Sequence, residues 1–163
     1  PELTNAGKND DRWSVRMANS VISRSDSLIH YLNPSSVKWQ YDVAFLGQAI
    51  DKLGDIDPLY SKYLEDYIDW FIQEDGSVYD YKIEEYNLDR VNPAKNIITI
   101  YKRTGDSVYR AALNQFLVQM ETHPKIQSMH YGFWDELYKL QTLAYLKQTN
   151  MELYYEHQLH KME

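Results

Sequence analysis

Apolar residues return at three- and four-residue spacing in successive segments of this chain, and a helix-stopping or helix-starting pair separates each segment from the next. Trp13, Met17, Val21 and Leu28 fall on one side of the first segment, which Asn33-Pro34 ends. The second runs from about Trp39 to Leu53, with Val43, Leu46, Ala49 or Ile50, and Leu53 on its face, and Gly54 stops it. Asp57-Pro58 opens the third with a cap and a first-turn proline. Tyr60, Tyr63, Leu64, Tyr67, Ile68 and Phe71 follow, and Asp75-Gly76 breaks the run. A fourth helix starts near Asn92 and ends around Thr104-Gly105, with Ile97, Ile98, Ile100 and Tyr101 on its apolar side. The fifth starts at Asp106, carries Tyr109, Ala112, Leu113, Phe116, Leu117 and Met120, and closes at His123-Pro124. One helix, or two, covers Phe133 to the C-terminus. Only Ser77 to Ile83 alternates in the manner of a short extended piece.

The expectation is an all-α chain of antiparallel hairpins. An internal echo supports it. Leu53-Gly54-Asp55 precedes Tyr60 and a helix, and Thr104-Gly105-Asp106 precedes Tyr109 and a helix. The offset of about fifty residues is the length of a two-helix unit, as in solenoids and α/α toroids. With 163 residues, 44% of them hydrophobic, the chain is long enough for one domain with a real core. Residues 1–11 are polar and expected to be flexible, and 12–163 form the single helical domain.

Composition excludes several functions. A net charge of −7, with no basic stripe, argues against nucleic acid. No apolar run reaches membrane-spanning length, so no membrane partner is expected. Cysteine is absent, which removes disulfides and thiolate metal sites and leaves the compartment open, cytoplasmic or periplasmic. His157 and His160, beside Glu156 and Glu163, read as imidazoles on a solvated terminal helix rather than metal ligands. Glu65-Asp66, Asp69 and Glu74-Asp75 read as a solvated helix face. Tyrosine occurs 15 times and tryptophan 4 times, and such rings suit half-wet surfaces, sugar clefts and helical-repeat interfaces alike.

The densest chemistry lies in Glu84 to Asn96, where a carboxylate, amides, a base and an aromatic crowd into a loop that opens a helix. Asn92-Pro93 reads as an N-cap and a first-turn proline, and Asp89 as a carboxylate near the positive end of the helix dipole. The bland reading makes Asp89 part of a helix start; the functional one makes it an active-site carboxylate.

Four elements then carry a resemblance: Trp13 to Ser20, Trp39-Gln40-Tyr41-Asp42, Tyr86 to Asn92, and Tyr101 to Asp106. In this order and spacing they resemble the N-terminal half of the unsaturated rhamnogalacturonyl hydrolases (glycoside hydrolase family 105), relatives of the family 88 unsaturated glucuronyl hydrolases. The resemblance covers about Arg12 to Trp134, and Asn87-x-Asp89-x-x-Asn92 is its most specific part. It implies half of an (α/α)6 toroid and an unsaturated oligosaccharide as partner, with no cofactor. The implied activity removes the unsaturated uronic acid left by polysaccharide lyases. An aspartic acid protonates the vinyl ether, water adds next to the ring oxygen, and the adduct opens and releases the sugar. By the same resemblance Asp89 is the first active-site aspartate. Trp39, Tyr41, Asn87 and Trp134 are substrate-binding.

The family pattern is broken further on, and residues 133–163 diverge. Gly132-Phe133-Trp134 is followed by Asp135-Glu136 where the family has His-Lys. Gln141 to Leu146 stands where a run holding the second aspartate is expected, which puts Tyr145 or Leu146 at the acid's position. The chain is therefore expected to be inactive alone and to self-associate as a homo-oligomer through uncovered helix faces. The alternative is a non-catalytic helical module with an aromatic binding face.

Overall fold

A computed structural model describes residues 3–32 and 35–124. Six α-helices are present among them: α1 (Asn5–Asn9), α2 (Trp13–Arg24), α3 (Tyr41–Asp51), α4 (Pro58–Phe71), α5 (Ala94–Thr104) and α6 (Ser107–Thr122). Short 3-10 turns occupy Leu28–His30, Ile83–Glu85 and Leu88–Arg90. No strand occurs among the described residues, and Ser77 to Ile83 contributes only one isolated bridge, Val78 to Ile72. The expected all-α class is what is found.

The helices pack as consecutive pairs, α3 on α4 and α5 on α6. The α3–α4 pair is antiparallel. Gly47 meets Leu64 mid-helix, and Gly54 meets Ser61 at the connection. The Tyr67 phenol lies beside the Gln40 backbone at the far end. Between pairs the register is parallel. Asn96 donates to the Ala44 carbonyl at 2.8 Å, and Arg103 pairs with Asp51 at 2.7 Å, both across 52 residues of sequence. The echo read from the sequence is therefore a structural repeat, with α5 standing beside α3 one hairpin later.

Its two glycines have different causes. Gly105 ends α5 in the left-handed conformation, φ +68°, and nothing stands within 4 Å of the Cβ it lacks. Gly54 has no such φ; a Cβ there would lie 2.1 Å from the Ser61 hydroxyl. The cap of α4 is Asp57, two residues beyond the echoing Asp55, whereas Asp106 itself caps α6.

The expected faces of α4, α5 and α6 are the buried ones, with Leu117 half-buried. Two faces are corrected. On α2 the buried residues are Val15, Ala18 and Val21, while Trp13 and Met17 are exposed. On α3 they are Val43, Ala44, Gly47 and Ile50. Leu46, Ala49 and Leu53 instead line an apolar groove with Met17. Small residues share the buried faces, Ala18 on α2 and Ala44 and Gly47 on α3, and Gly47 lies against Leu64 and Leu28.

The stretch expected to be flexible carries α1. Asp57 accepts from the Thr4 N–H at 2.6 Å and from the Leu59 N–H at 2.9 Å, so one buried carboxylate caps α4 and anchors α1. Burial works against its charge, but the bonds from Thr4 and Leu59 outweigh it and hold the carboxyl below the usual carboxylate range. A depressed folded pKa contributes stability above the unfolded value of 3.8, and that contribution is lost as pH falls through the folded value. Asp57→Ala is expected to cost about 2–3 kcal/mol, from a lost cap and an unsatisfied N–H. In urea titrations at pH 7 and pH 3 the deficit should be smaller at pH 3. An equal deficit at both would show that the charge contributes nothing.

Candidate active site

The loop from Ile72 to Pro93 joins the two hairpins and holds the carboxylate singled out in the sequence. Its first half folds back on α4: Tyr79 N–H donates to the Phe71 carbonyl and Gln73 N–H to Ser77, both at 2.8 Å. Tyr81 is then buried against Phe116, ring centroids 4.4 Å apart. Its hydroxyl donates to Gln119 Oε1, and Gln119 Nε2 donates to the Asn87 carbonyl at 3.3 Å. Gln119 lies wholly inside α6, so this buried amide holds the loop from below.

A second clasp comes from the segment before α3. Trp39 Nε1 donates to the Arg90 carbonyl at 2.8 Å, and Arg90 Nη1 donates back to the Trp39 carbonyl. The same guanidinium pairs with Asp80 Oδ2 at 2.6 Å, and Asp80 also accepts from the Trp39 N–H at 3.1 Å. One ion pair and one indole thus tie together residues 39, 80 and 90.

Asp80 (φ +60°) and Tyr86 (φ +47°) are the two non-glycine residues with left-handed backbone among the described residues. Both lie within this loop, ahead of Asp89. A tyrosine in that conformation is strained, and such strain persists only where the surroundings over-determine it. Here the surroundings are Gln119, the Trp39–Arg90 clasp, and His123, whose ring packs edge-on against Tyr86 at 5.6 Å.

Asp89 sits on this frame, exposed, in the 3-10 turn Leu88–Arg90. Its N–H donates to Asn87 Oδ1 at 3.0 Å, so Asn87 caps the turn. Its carboxylate makes no hydrogen bond or ion pair among the described residues. The expected Asn92 cap is corrected. α5 starts at Ala94 with Pro93 at the cap position and no side-chain cap. The chain enters α5 from a continuous turn instead, with Ala94, Lys95 and Asn96 N–H groups bonded three residues back.

Trp39 is also corrected. It was expected among the substrate-binding residues, but it is fully buried between Phe71 (5.2 Å) and Phe116 (6.1 Å) and offers no face to a sugar. Tyr41, two residues on, is 49% exposed at the start of α3. Through the 39–90 clasp Tyr41 and Asp89 are presented at the same end of the hairpins. Trp134, Asp135, Glu136, Tyr145 and Leu146 lie outside the described residues, as do His157 and His160. Sequence reading missed Asp80, Tyr81 and Gln119, whose partners lie ten to forty-one residues away. The signal available was a carboxylate between two tyrosines at Tyr79-Asp80-Tyr81.

Paired α-hairpins in parallel register are the arrangement of stacked α/α repeats. The chain belongs to glycosyl hydrolase family 88, whose model matches residues 13–160. It is also similar to a solved family 105 glycoside hydrolase from C. acetobutylicum ATCC 824, with 33% identity and a TM-score of 0.63 over 72% of this chain. That match spans 31% of the solved enzyme, so the chain corresponds to about a third of its length. No curated protein matches. Among the described residues no helix is long and apolar enough to cross a membrane.

Proposed function

We infer that this chain supplies the Asp89 side of a site for unsaturated uronyl oligosaccharides and does not turn them over alone. Asp89, Tyr41 and Asn87 face the sugar. The reaction implied by the family is hydration of a vinyl ether. A proton goes to the double-bond carbon, water adds beside the ring oxygen, and the hemiketal formed opens to release the sugar. It needs a proton donor as well as Asp89. In this sequence the family's second acid falls on Tyr145 or Leu146. Neither side chain replaces a carboxylic acid poised near neutrality, since an unperturbed tyrosine titrates near ~10. Asp135 and Glu136 add negative charge where the family has a histidine and a lysine, which disfavours a uronate.

The observation that carries this reading is the loop itself: an exposed carboxylate on a segment held by two independent clasps and preceded by a strained left-handed tyrosine, Tyr86. A helix start with no further role would not require that bracing.

Fluorescence titration with an unsaturated uronyl disaccharide tests it. Saturable binding is expected, weakened about tenfold in Tyr41→Ala by loss of ring stacking. Absence of saturable binding would sink the reading and leave the non-catalytic module.

A further inference from the structure

Trp70 and Tyr79 form an exposed aromatic corner that the candidate site does not use. They are 42% and 53% exposed, with ring centroids 5.4 Å apart and planes at 88°. Both rest on buried Phe71, Trp70 at 5.0 Å and Tyr79 at 6.4 Å, and Phe71 in turn packs on Trp39. Tyr79 immediately precedes Asp80, and Trp39 and Asp80 are both bonded to Arg90. The corner is therefore packed on Phe71, the ring that backs Trp39 of the Trp39–Arg90 clasp. The indole N–H of Trp70 and the hydroxyl of Tyr79 make no hydrogen bond among the described residues.

We propose that this corner is a subsite for a neutral pyranose further along the oligosaccharide whose unsaturated end lies at Asp89. This rests on the function proposed above. The chemistry of the corner selects the ligand class. Two perpendicular rings, each with a tip donor that is unbonded among the described residues, match a sugar ring, which is apolar on its C–H face and polar at its rim. Charge selects within that class. Between Lys62 and Lys82 the chain carries six carboxylates and no base; Asp66 and Asp80 are ion-paired with Lys62 and Arg90, which leaves Glu65, Asp69, Glu74 and Asp75 without an ion pair among the described residues. A uronate is repelled by that stretch and a neutral sugar is not.

The test compares an unsaturated rhamnogalacturonan disaccharide with the corresponding tetrasaccharide on the intact chain. The tetrasaccharide is expected to bind about tenfold more tightly, roughly 1.4 kcal/mol. Trp70→Ala and Tyr79→Ala should each erode that advantage and leave the disaccharide affinity unchanged. Equal affinities in the wild type, or an advantage that survives both substitutions, overturns the subsite while the function stands. If the disaccharide does not bind, the function fails, and methyl rhamnoside then reads the corner alone. Saturable quenching present in the wild type and absent in Trp70→Ala supports the corner, and its absence overturns it. Light scattering in which Trp70→Ala dissolves an oligomer would also overturn it, by assigning the corner to contact between copies.

Discussion

Trp39→Ala is expected to destabilise the protein by roughly 3–5 kcal/mol, the usual cost of emptying a large aromatic site. The indole is fully buried between Phe71 and Phe116, and its N–H satisfies the Arg90 carbonyl. Trp39→Phe keeps most of the packing and loses the hydrogen bond, so about 1–2 kcal/mol is expected. Urea unfolding followed by circular dichroism measures both. The result separates two roles. A tryptophan that formed a sugar-stacking wall would sit at the surface, and its truncation would cost within about 0.5 kcal/mol. A small loss of stability with a large loss of sugar binding would return Trp39 to the binding residues.

Gly76→Ala is the second large effect. Gly76 has φ +80°, and a Cβ there would lie 2.5 Å from the Ala111 Cβ on α6. Left-handed backbone costs an alanine about 1–2 kcal/mol, and overpacking against a helix adds about 1–3. The expected total is about 3 kcal/mol by thermal or urea unfolding. Gly105→Ala is the matched control. Its φ is +68° with nothing within 4 Å, so it should lose only the backbone part, about 1 kcal/mol. Equal losses at the two sites would mean that the turn after α4 does not press on α6 as described. The consequence reaches the site, because the same turn delivers Tyr79, Asp80 and Tyr81 to the loop that carries Asp89.

The helical faces that could be read were those where a single apolar stripe is buried along its whole length. Tyr60, Tyr63, Leu64, Tyr67, Ile68 and Phe71 on α4, and Ile97, Ile98, Ile100 and Tyr101 on α5, follow that rule, and their side chains are buried as their spacing indicates. The rule fails on α2 and α3, whose buried faces include the small residues Ala18, Ala44 and Gly47. Hydrophobic size then points to the wrong side, toward Met17 and Leu46. Gly54 and Gly105 look alike in sequence, yet one answers a steric demand from Ser61 and the other a left-handed cap.

At the site, the turn around Asp89 was legible because its neighbours in sequence are also its neighbours in the turn: Asn87 caps it directly. Trp39 was misread because an indole beside Tyr41 looks the same in sequence whether it faces water or Phe71 and Phe116. Gln119 carried no local signal. Its role arises only when α6 places it under the Asn87 carbonyl, thirty-two residues away in sequence.

The measurement closest to the central claim is the ultraviolet absorbance of the unsaturated disaccharide, which vanishes when the double bond is hydrated. The chain presents Asp89 on a braced loop, while Tyr145 or Leu146 stands where the second acid belongs. Incubation with the chain alone is therefore predicted to leave the absorbance unchanged. A loss that depends on the chain and disappears in Asp89→Asn would contradict the account. It would place a working proton donor within this sequence, with Asp135 and Glu136 the first residues to replace.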